Sequence, residues 1–74
     1  MPGRQGDDVA ERVFELLLRK VEQDHYPSNQ QLDLLEQHMS EHGRRQLIAV
    51  LADKISQDRY PSMQMIRRLL RLAA

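Results

Sequence analysis

The chain has 74 residues, eleven basic and eleven acidic, and no cysteine. That allows one domain at most, with no disulfide or thiolate metal site to staple it. The 41% hydrophobic and 30% charged composition is that of a globular chain. No apolar run approaches the roughly 20 residues of a membrane span, and the polar start MPGRQGDD does not read as a secretory signal. The cytoplasm is therefore the default compartment.

The zero net charge hides a split. Residues 1–42 carry nine acids against four bases, and residues 43–74 carry two acids against seven bases. Opposed halves of this kind attract each other within a chain, attract each other between chains, or leave a basic half for a polyanion.

The strongest signal is self-similarity. Lys20-Val-Glu-Gln-Asp-His-Tyr-Pro-Ser-Asn-Gln30 aligns with Lys54-Ile-Ser-Gln-Asp-Arg-Tyr-Pro-Ser-Met-Gln64, with seven of eleven positions identical at an offset of 34 residues. Apolar positions match outside this stretch too: Phe14 with Ile48, Leu17 with Leu51, Leu32 with Ile66, Leu35 with Leu69. The offset equals the length of a tetratricopeptide repeat. However, the bulky aromatic and the glycine of that repeat's first helix are missing, and the tyrosine falls in the turn. Two copies instead predict an all-α, four-helix domain made of two duplicated helix–Tyr-Pro-Ser–helix hairpins.

Taken in chain order, residues 1–6 are expected to be disordered and residues 7–74 to form one helical domain, with hairpin one over 8–41 and hairpin two over 43–74. The first helix is predicted over about 8–24, with Asp8 as N-cap and Glu11 three residues later. At 100° per residue it gathers Val9, Ala10, Val13, Phe14, Leu17 and Val21 on one face. Pro27 restricts Tyr26 to extended geometry, so the helix ends before it, and Ser28 is placed to cap the next helix with Gln31 completing a capping box. The second helix, about 29–41, gathers Leu32, Leu35 and Met39, and Gly43 is its expected αL stop. The third, about 44–57, gathers Leu47, Ile48, Leu51, Ala52 and Ile55. Pro61 and Ser62 repeat the turn, with Met65 where the capping box needs Gln or Glu. The fourth, about 63–73, gathers Met63, Met65, Ile66, Leu69, Leu70, Leu72 and Ala73.

Leu16, Leu18, Leu34 and Val50 fall at or beyond the edges of these faces. On a chain whose core supplies only about 3–5 kcal/mol, that surplus predicts a second buried surface. Arg67, Arg68 and Arg71 lie within about 100° of each other on the fourth helix, opposite its apolar face. The expected partner-binding set is therefore Leu16, Leu18 and Leu34, with Arg67, Arg68 and Arg71 as a charged rim. The expected partner is a second copy of the chain, and the expected function is that of a non-enzymatic helical interaction module. A small nucleic-acid-binding regulator using the basic fourth helix, with Arg44, Arg45 and Arg59 adding phosphate contacts, is the alternative. A docking domain of a longer protein is a third reading.

Other motifs point to structure rather than chemistry. The repeated Gln-Asp-x-Tyr-Pro-Ser ends one helix and caps the next, with the tyrosine ring expected to cover the hairpin's open end and Asp24 and Asp58 expected to bond a turn amide. His38 and His42, four apart, would share a helix face, but two histidines fall short of the three or four ligands a zinc site needs. No glycine-rich phosphate loop and no nucleophile–base pair are visible. Neither an enzyme, a cofactor, a metal, a small-molecule substrate nor a membrane surface is expected.

Overall fold

The computed structural model describes residues 2–74, with side chains from residue 9 onward. Four helices follow one another: α1 (Pro2–Gln23), α2 (Asn29–Gln37), α3 (Glu41–Gln57) and α4 (Met63–Ala73), with no strand among the described residues. They form two compact units, Met1–Ser40 and Glu41–Ala74. Each is a helix, a Tyr-Pro-Ser turn and a second helix packed on the first.

The turns form as the proline and serine dictate. Ser28 takes an extended N-cap conformation, and its hydroxyl accepts from the Gln31 amide at 3.1 Å. The Gln31 side chain returns to the Ser28 amide at 3.0 Å, so the capping box is complete. Ser62 accepts from the Met65 amide at 3.3 Å, but Met65 offers no acceptor in return. On the other side of each turn the chain closes its last helical hydrogen bond in matching fashion, Asp24 N–H to the Lys20 carbonyl and Asp58 N–H to the Lys54 carbonyl.

The helix bounds differ from the expected ones at the start of α1, the end of α2 and the start of α3. Helix α1 begins at Pro2, a residue whose fixed φ suits a first helical position. Asp8 is therefore interior to the helix and not its cap, and the side chains of residues 2–8 lie outside those described. Helix α2 ends at Gln37, short of 41, and Gly43 is not its stop. No glycine has a positive φ among the described residues. Instead His38, at φ −121° and ψ 14°, closes α2, its backbone N–H donating to the Leu35 carbonyl at 3.3 Å. Met39 kept the apolar phase of Leu35 and so extended the expected helix by a turn. Gly43 is a buried residue in the first turn of α3, which Glu41 opens. An acid there is favoured by the helix dipole.

The first unit buries Phe14, Leu18 and Val21 from α1 and Leu32 and Leu35 from α2. The second buries Leu47, Val50 and Leu51 from α3 and Leu72 from α4. Leu18 and Val50, expected at the surface, are thus core residues. Leu18 stands four residues after Phe14 and three before Val21, which places it on the same stripe as both. Val50 stands three after Leu47 and seven after the buried Gly43. In each case the expected face was centred too far round the helix.

Candidate functional site

Helix α1 is apolar over about 200° of its circumference, from Leu16 through Val9, Val13, Leu17 and Phe14 to Leu18. A single packed neighbour covers a stripe of little more than 100°. The consequence is visible in the exposures. Phe14, Leu18 and Val21 are buried, Leu17 is half-buried, and Val9, Val13 and Leu16 remain exposed. Leu16 is 59% and Leu34 of α2 49% exposed.

Between the two helices of the first unit lies an open cleft of about 280 Å³. Ala10, Val13, Phe14 and Leu17 form its α1 wall, and Leu34, Leu35 and His38 its α2 wall. A second hollow of about 200 Å³ shares Ala10, Phe14 and His38 with it and adds Glu11 and Ser40. The two hollows adjoin at Ala10, Phe14 and His38, so the mainly apolar lining of the first gives way to Glu11 and Ser40 at one end. That polar end stands at the C-terminus of α2, where helical carbonyls carry partial negative charge.

The second unit differs from the first at the positions around this groove. Moved by 34 residues, Ala10 becomes Arg44, Val13 becomes Leu47, Leu16 becomes Val50, Leu34 becomes Arg68 and His38 becomes Leu72. Leu47, Val50, Arg68 and Leu72 are all buried, whereas Val13, Leu16, Leu34 and His38 are exposed. The Arg44 guanidinium spans from α3 to α4, donating to the Leu72 carbonyl at 2.6 Å. It also makes a two-pronged pair with Glu41, Nε to Oε2 at 3.2 Å and NH2 to Oε1. That hydrogen bond, and then the adjacent charge, hold the Glu41 carboxyl below its ordinary value and raise the Arg44 guanidinium above its own. In the first unit the place of Arg44 is taken by Ala10, which has nothing to reach across with.

The expected site residues therefore separate. Leu34 lines the cleft and Leu16 continues the exposed apolar band of α1. Leu18 is 7% exposed and leaves the set. Arg68 is 9% exposed and is not a rim residue. It stands four residues before Leu72, and an arginine stem packs well along such a stripe. Arg67 and Arg71 remain on the surface. His38 and His42 do not share a helix face, because His38 caps α2 and His42 lies in α3. No group of three or more metal-ligating side chains occurs among the described residues. The tyrosines do not cover the hairpin ends: Tyr26 is 77% and Tyr60 87% exposed, with Tyr26 edge-on to His25 at 4.4 Å between ring centres. No helix among the described residues is long and apolar enough to cross a membrane.

Ala10, Glu11, Val13 and His38 were not expected as site residues. The signal that marks them is the 34-residue comparison read for differences, with Ala10 against Arg44 the decisive one. Comparison with protein-family models, curated proteins and solved structures returns no match.

Proposed function

We propose that the chain is a non-enzymatic protein-interaction module that pairs with a second copy of itself through the open apolar face of its first hairpin. We propose also that the two hairpins are copies of one helix–Tyr-Pro-Ser–helix unit, one with this face closed and one with it open. The observation that carries the reading is the contrast between Val13, Leu16, Leu34 and His38, exposed around a cleft, and their buried counterparts 34 residues on. Exposed apolar residues clustered around a groove mark an interaction surface. The polar groups beside the cleft, Glu11, His38 and Ser40, are all exposed to solvent. Acid–base catalysis asks for the opposite, a desolvated site.

The nucleic-acid reading has less support. Arg68 is buried and Arg44 is engaged within its own hairpin, which leaves Arg67 and Arg71 as the exposed arginines of α4. Both readings meet in one experiment, native mass measured against concentration at low and high salt, with and without a DNA duplex. Apolar pairing survives high salt, whereas binding to a duplex weakens linearly in log–log salt.

A further inference from the structure

The groove of the first hairpin specifies its occupant. It offers an apolar trough ending at Glu11, His38, Ser40 and the carbonyl end of α2. A matching helix needs an apolar side chain about one turn from a cationic hydrogen-bond donor on the same face. The second hairpin supplies the precedent, since at the place equivalent to Ala10 and His38 an arginine donates to a helical carbonyl.

Helix α4 presents that pattern outward. Met63, Arg67 and Leu70 are all exposed. Spaced at i, i+4 and i+7, they lie within about 60° of each other on one face. Neither the Arg67 nor the Glu11 side chain has a hydrogen bond or ion pair with another described residue. The long-range charge agrees. Residues 1–40 carry eight acids against four bases and residues 41–74 three acids against seven bases, a net −4 facing a net +4. Arg12 and Arg19 stand about 160–180° round α1 from Ala10, on the side away from the cleft wall, and Lys20, about 80° from Ala10, is paired with Asp24 at 4.0 Å.

We infer that the occupant of the groove is α4 of a second copy, with Leu70 in the apolar trough and Arg67 at Glu11 and the end of α2. The inference rests on the self-association reading above and gives that contact its two surfaces. An eleven-residue helix is about 16 Å long, too little alone for the roughly 1,200–2,000 Å² of a stable interface. A closed pair uses the contact twice, each copy giving its α4 and receiving its partner's.

Sedimentation equilibrium and native mass spectrometry on the full chain test this, with helix content and melting temperature as controls for folding. Leu70→Asp, Arg67→Glu and Glu11→Arg each weaken self-association at least about tenfold. The double variant Glu11→Arg/Arg67→Glu recovers to within about threefold of the wild type, because the pair is reversed and not removed. Leu34→Asp and Leu70→Asp chains, when combined, regain one of the two contacts and associate more tightly than either variant alone, though more weakly than the wild type. A wild-type pair that Leu34→Asp breaks and that Leu70→Asp and Arg67→Glu leave unchanged overturns α4 as the occupant while the self-association reading stands. A double variant no stronger than either single overturns the Glu11–Arg67 pairing. A wild-type chain monomeric at all concentrations overturns both readings.

Discussion

Arg44 donates to the carbonyl of Leu72 at 2.6 Å and so ties the start of α3 to the end of α4. Thirty-four residues earlier in the sequence stand Ala10 and His38, and alanine has no side-chain donor for such a tie. Substituting Ala10→Arg should supply it. The expected result is loss of self-association by at least about tenfold with a melting temperature no lower than wild type. Dimerisation at wild-type affinity would show that the groove is not the contact. Analytical ultracentrifugation beside thermal melting gives both readouts.

The tie also has a pH dependence. Arg44 holds the Glu41 carboxyl below its ordinary value, chiefly by hydrogen bonding, then by charge, with Arg45 adding less. A depressed folded-state value means that the stabilisation is fully present above 4.5, the ordinary value, and is lost as pH falls through the folded value. The melting temperature of Glu41→Gln should therefore lie slightly below wild type at neutral pH, the site being exposed. The gap should close on acidification below the carboxylate range. A gap that widens in acid contradicts the assignment. Arg44→Ala, which also removes the Leu72 bond, should lower the melting temperature by several degrees more.

The two serine caps are unequal. Ser28 belongs to a complete capping box, whereas Ser62 faces Met65 and caps in one direction only. Ser28→Ala should cost about 1–2 kcal/mol and Ser62→Ala about 0.5–1 kcal/mol in urea unfolding. Equal costs would mean that the returning Gln31 bond at 3.0 Å contributes nothing.

Much of the hairpin plan was readable from residue order. Pro27 and Pro61 fix where helices stop, Ser28 and Ser62 where they restart, and the apolar spacing gives four helices. The ends of α2 and α3 were harder. Met39 continues the apolar phase past the true end of α2, and Gly43 looks like a helix stop yet packs inside one. The site was half legible. Leu16 and Leu34 stand out as surplus leucines. An α1 face about 200° wide does not announce which half is covered, so Leu18 was placed outside and Val13 inside. Arg68 was hidden by its charge, because arginines are seldom as buried as its 9% exposure.

The corrected division of α1 has a measurable consequence. Leu18→Ala empties a buried site and should cost about 2–5 kcal/mol, enough to unfold much of so small a protein. Leu16→Ala alters an exposed position and should stay within about 0.5 kcal/mol. Chemical denaturation at low protein concentration, where pairing does not contribute, separates the two. Comparable costs would contradict the burial assigned to Leu18.

The most direct test of the account is the solution mass of the wild type and of Leu34→Asp, by size-exclusion chromatography with light scattering over a range of concentrations at low and high salt. The account predicts a salt-resistant wild-type dimer and a Leu34→Asp monomer with unchanged helix content. A wild-type monomer throughout, or a Leu34→Asp variant that dimerises as the wild type does, would contradict it.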